Sequence, residues 1–206
     1  MYYSQNTVGG NSCGACASSY ALQELLGLYY NLAAIRGLYQ DAMFDNTAAA
    51  GTFWYGILQN DHIDPTKLAE ELEEDRMTVE LYVSPASPLQ PLIHATKPDG
   101  TPVLHDPTRV NVGEGMSLLT LQNRAIGIYN CIGVGLHYIL TKYDGTGYQI
   151  MDSNDLKPHY QVVVKNQPRP QQRFTGPLSA NQTIMASVNG RDYGYIYLGA
   201  CVLVSR

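Results

Sequence analysis

No stretch of this 206-residue sequence is apolar enough for long enough to cross a bilayer, since a span needs ~18 residues. The opening segment MYYSQNTVGG lacks a basic n-region and an apolar h-region, which argues against a cleaved signal peptide. The expectation is a cytoplasmic protein, or one secreted without a cleaved signal. Lys and Arg form no cluster and the formal net charge is −5, so neither nucleic acid nor an anionic membrane surface is an expected partner. Cysteine is scarce: Cys13, Cys16, Cys131 and Cys201 are too few to staple a chain of this length. Cys131 and Cys201 form no second close pair, so an all-cysteine zinc site is disfavoured and no metal or organic cofactor is expected. No repeat is present.

What is present is an ordinary globular composition, 45% hydrophobic and 15% charged, enough to bury a core. The expectation is one domain over residues 1–206. Its helical part runs over about 11–80, a variable loop region over about 84–117 and a sheet over about 124–206. Helix signals are CGACASSYALQELLG, with Ser12 or Asn11 able to cap it and Gly27 to end it, then Asn31–Phe44 with a weak point at Gly37. A third is DPTKLAEELEED, with Pro65 in its first turn. DNTAAAGTFWYG reads as a loop and RMTVELYV as a strand. A short hairpin is expected around PDGTP. RAIGIYNC, LHYILTKY, GYQIMDS, YQVVVKN and YGYIYLGACVLVS alternate as strands. Helices first and a mostly antiparallel sheet second defines an α+β chain. The sixteen tyrosines suit half-buried strand and cleft positions.

Chemistry concentrates in GLHYILTKYDGTGYQIMDSND. If Asp144-Gly145 is a two-residue hairpin turn, Tyr143 faces Thr146 and His137 lies opposite Asp152, with Cβ atoms ~5 Å apart. A carboxylate there can hold one imidazole tautomer and stabilise its charged form. A four-residue loop, Asp144 to Gly147, would instead set His137 opposite Asn154. The Asp-Gly signal favours the first register. His62, His94, His105 and His159 lie in polar or Pro-rich surroundings and read as solvent-exposed.

GGNSCGAC offers two candidate thiols. A helix N-terminus stabilises a thiolate, and both Cys13 and Cys16 fall near one. A redox Cys-X-X-Cys pair would need a preceding strand in a βαβ unit, and only twelve mostly polar residues precede Cys13. Inert burial fits Cys201, Cys131 and whichever of Cys13 and Cys16 is not reactive.

NSCGACASSYAL at a helix start, followed far downstream by this hairpin, resembles the papain-like cysteine peptidase superfamily. The likeness is to its small bacterial branches, the bacteriocin-leader-processing peptidases and the secreted effector proteases and deamidases. The resemblance covers about a quarter of the chain plus its element order; residues 47–117 match nothing in the family. It implies a papain-like α+β fold whose central helix carries the cysteine and packs on the sheet, and a peptide or protein substrate. It implies Cys13 as nucleophile, His137 as base and Asp152 as its orienter. Cys16 is the alternative nucleophile if the plant-type motif is the better alignment, and Asn154 the alternative third member. Cys13 is preferred because a Ser12 cap places it in the first turn and Gly14 keeps its surroundings open. Gln5, eight residues before Cys13, stands for the family's oxyanion glutamine, with Asn11 or the helix-start N–H groups as the alternative donors. Glutamine deamidation or acyl transfer would use the same residues. A non-catalytic binding module or a redox protein are the rivals.

Overall fold

A computed structural model describes residues 2–44, 62–133, 135–166 and 172–206. The expected loop Asp45–Gly56 lies outside the described residues. Among the described residues, four α-helices precede a nine-stranded, mostly antiparallel sheet. The helices are α1 (Gln5–Val8), α2 (Cys13–Leu26), α3 (Leu32–Asp41) and α4 (Pro65–Glu74).

Local chemistry sets the helix ends. Asn31 caps α3 through the Ala34 amide, and Asp64 caps α4 through the Thr66 amide with Pro65 in the first turn. Gly27 closes α2 in the left-handed conformation, φ +71°. Gly37 does not break α3, whose helix continues to Asp41. Residues Cys13–Leu22 of α2 are all buried, which explains their small and apolar character. Gly14 allows the closest approach: a Cβ there would sit 2.7 Å from Ile63 and 3.3 Å from the Tyr138 ring.

The strands are β1 (Thr78–Val83), β2 (Val110–Val112), β3 (Arg124–Cys131), β4 (Gly135–Tyr143), β5 (Tyr148–Met151), β6 (Gln161–Val162), β7 (Val164–Lys165), β8 (Thr183–Val188) and β9 (Arg191–Ser205). Neighbours run β2-β1-β9-β3-β4-β5-β6, and β8 joins β7 to β9. Only β1–β2 is parallel among these ladders. Val163 links β6 to β7, its amide donating to Tyr148 and its carbonyl accepting from Phe174. The run β9-β3-β4-β5-β6, continued through β7 and β8, therefore closes on itself as a small barrel.

Two cores follow from strand alternation. Ile126, Ile128, Tyr138, Leu140 and Val202 face the helices; Ala125, Tyr129, Cys131, Ile139 and Leu203 fill the barrel. β9 walls both. Its pairing with β3 shifts between Ile128 and Tyr129, which sets Leu198 and Gly199 out of register. Before this bulge its other edge pairs β8, and after it β1.

Several expectations need correction. Residues 84–117 are not all loop: β2 adds a parallel strand beside β1. YQVVVKN divides into β6 and β7 because its two ends pair different strands. No expectation covers the β8–β9 hairpin, although Asn189-Gly190, both at positive φ, is a strong turn signal. Tyr20, Tyr129, Tyr195 and Tyr197 are fully buried rather than half-buried. Hydroxyl partners make this tolerable, Tyr129 with Thr141 at 2.8 Å and Tyr20 with the Tyr3 carbonyl among them. The short hairpin near residues 97–101 does form, with Lys97 donating to Thr101.

Candidate active site

The start of α2, the start of β4 and the turn after β5 meet at one buried point. Cys13, the first residue of α2, accepts at its sulfur a 3.4 Å hydrogen bond from the Tyr138 amide. The neighbouring His137 is hydrogen-bonded to Asp152, with Nε2 2.5 Å from Asp152 Oδ1, and lies close enough to Cys13 for thiol and imidazole to interact electrostatically. Nδ1 is then the nitrogen free to serve the thiol. Cys13 is 5% exposed and His137 and Asp152 are each 2% exposed, so this charge array sits in a low-dielectric pocket.

Asp152 reaches His137 by a different route from the favoured register. Leu140 pairs with Met151 and Tyr143 with Tyr148, so the hairpin loop has four residues. Asp144 holds it open, accepting the amides of Thr146 and Gly147 on Oδ1. In that register His137 would face Asn154. The strand ends at Met151, however, and a turn closed by the Asp155 amide on the Asp152 carbonyl swings Asp152 inward. Asn154 offers its backbone amide to Asp152 Oδ1 at 2.7 Å and, with Asp152, borders one cavity. The expected partner is present by way of a turn, not a ladder.

Electrostatics bind the three groups. Burial pushes the His137 imidazole down, but the Asp152 carboxylate and Cys13 outweigh it and raise the group to about 10. Burial pushes Asp152 up, and His137, the Asn154 amide and the Tyr195 hydroxyl overcome this and hold it below the usual carboxylate range. An imidazolium is thus favoured between a carboxylate and a thiol.

Cys16 does not reach this array. It is fully buried in the helix core, its sulfur 4.0 Å from Ser12 Oγ, and burial pushes it up to about 12. Cys201 and Cys131 are also buried, raised to about 12 and about 11 by the same cause. Ser12 occupies the N-cap position but makes no capping hydrogen bond, because its hydroxyl turns back to Cys16. The expected Ser12 cap is absent, and among the described residues no side chain caps the first amides of α2. Gln5 is committed elsewhere: its amide nitrogen donates to the Gly10 carbonyl and its oxygen accepts from Ser153 Oγ, bracing the loop before α2 against the turn holding Asp152.

Among the other histidines, His94, His105 and His159 are exposed, as expected, while His62 is half-buried. The described residues contain no group of three or more His, Cys, Asp or Glu side chains placed to hold a metal ion, and no described helix is long and apolar enough to cross a membrane. Comparison with protein-family models, curated proteins and solved structures finds no match for this chain.

Proposed function

We propose that this chain is a cysteine peptidase of papain-like type, with Cys13 as nucleophile, His137 as general base and acid, and Asp152 as its orienter. The observation that carries the reading is a buried His137 bonded to Asp152, beside a Cys13 whose sulfur is tied to the amide of the next residue, Tyr138. The Cys13 thiolate attacks a peptide carbonyl while His137 carries the proton. The tetrahedral oxyanion takes hydrogen bonds from the uncapped amides at the start of α2. His137 then gives its proton to the departing amine, leaving a thioester on Cys13. In the second half His137 accepts a proton from water, the hydroxide displaces the thiol, and the acid product leaves. Asp152 keeps Nε2–H bound throughout, so Nδ1 is always the working nitrogen. Attack on a glutamine side chain would follow the same first half and release ammonia.

Iodoacetamide labelling read by intact mass tests the nucleophile without a known substrate. One rapid adduct is expected on wild type and Cys16→Ala, and none at that rate on Cys13→Ala. If every thiol of the wild type reacts as slowly as free cysteine, the proposal fails. A peptide library scored by mass spectrometry for new termini then separates hydrolysis from deamidation, which adds mass without cutting.

A further inference from the structure

Asp152 has a second tie that the three-residue mechanism does not use. Tyr195, fully buried on β9, donates its hydroxyl to Asp152 Oδ2 at 2.7 Å. Its ring has little freedom. It packs edge-on against Tyr129 with centroids 6.4 Å apart, and its backbone sits between Cys131 of β3 and Ile184 of β8. Tyr129 is itself locked by Tyr197 and by Thr141 Oγ1. The barrel core therefore aims one hydroxyl at the carboxylate.

The space around that bond explains why it matters. Asp152 and Tyr195 both line a cavity of about 250 Å³, with Asn6, Cys131, Asn154 and Asn189 also on its wall. That volume accepts water. Without a donor on Oδ2, the carboxylate has room to rotate toward the cavity and be hydrated there, which would pull Oδ1 off His137. We infer that Tyr195 is a positioning residue of the active site, fixing through Asp152 the orientation of His137; this rests on the proposed peptidase reading. The ionisable groups facing Asp152 are Tyr20 of α2, Cys131 of β3, His137 of β4 and Tyr195 of β9, with Asp155 on the same turn.

Two readouts test it on Tyr195→Phe, Asp152→Asn and the double variant. The Asp152 carboxyl titration is followed by carbon NMR, and the iodoacetamide rate of Cys13 by mass. In Tyr195→Phe the Asp152 midpoint should rise by about one pH unit, because a hydrogen bond to a charged group is lost. The Cys13 rate should fall about tenfold at neutral pH, an equivalent shift. In the Asp152→Asn background, Tyr195→Phe should cost nothing more. A folded Tyr195→Phe protein with an unchanged Asp152 midpoint overturns the inference, as does a full additional loss in the Asp152→Asn background. If Tyr195→Phe does not fold, 3-fluorotyrosine at position 195 keeps the ring and strengthens the donor. The Asp152 midpoint should then fall, and an unmoved midpoint counts against the role. Should wild-type Cys13 prove unreactive, the peptidase reading fails while the Asp152 titration still decides what Tyr195 does.

Discussion

The Tyr138 amide donates to the Cys13 sulfur at 3.4 Å, across 125 residues of sequence. This bond fastens the start of α2 to β4 one residue from His137, so thiol and imidazole are positioned by backbone rather than by flexible side chains. Gly14 makes it possible, since the Ile63 and Tyr138 side chains occupy the space a Cβ would need. A site built on a helix end and a strand is held more tightly than one built on loops.

His137→Ala should slow Cys13 alkylation at neutral pH by about a hundredfold, the lower end of what a positioned base contributes. Asp152→Asn should slow it less, because the imidazole remains but loses its charge partner. Rates measured by intact mass over a pH series check both.

Stability should fall with rising pH in a defined window. His137 is raised from the ordinary 6.5 to about 10 in the folded chain, so the folded state holds a proton there that the unfolded state releases. Its contribution is complete below about 6.5 and is lost as pH climbs toward about 10. Asp152 works in the opposite direction: being lowered when folded, it stabilises above the ordinary carboxylate range and ceases to as pH drops below it. Melting temperatures from about pH 5.5 to 10 should show the decline in wild type, and His137→Ala should flatten it.

Cys16→Ala should cost about 1–2 kcal/mol, the consequence of a small cavity beside α2, and leave Cys13 alkylation in place. Urea midpoints and labelling rates on the same sample separate packing from chemistry.

Glu24→Ala should cost about 2 kcal/mol or more, because Glu24 accepts from Arg124 at 2.8 Å and Tyr160 at 2.9 Å and ties α2 to the sheet. Removing the carboxylate leaves a partly buried guanidinium without that partner. The midpoint of urea unfolding measures the loss.

Gly199→Ala should be the most damaging single change outside the site, at about 3 kcal/mol. Gly199 has φ +76°, and a Cβ would lie 2.6 Å from the Ala180 Cβ. Thermal melting, with reduced expression expected, tests it.

Those features with local causes are legible in the sequence. Asp64 and Pro65 announce α4, alternation places β3 at Arg124–Cys131, and Gly27 marks the end of α2. The mixed α+β order is readable for the same reason. Features governed by distant contacts are not. Asp144 selects the longer loop through side-chain bonds that a dipeptide rule overlooks, and Asp152 depends on a turn beyond the strand. Ser12 abandons its cap for a sulfur one turn away. Tyr195 looks like one strand tyrosine among several, and no local signal separates it; its partner lies 43 residues upstream. Asn189-Gly190 is different, because its turn signal is plain in the sequence.

Strand β9 carries a further consequence for how the chain folds. Both the helix-facing core and the barrel core use it as a wall, and every other strand precedes it in the chain. Until Arg191–Ser205 has been synthesised, neither core can close and β1 and β3 lack the strand that lies between them. Assembly must wait for sequence-distant pairings, which makes it slow relative to helix formation. Before then, α2 can form with Cys13 at its head while the core it belongs to is still open. The reactive geometry would therefore arise late and all at once, when one strand is inserted between two halves already waiting.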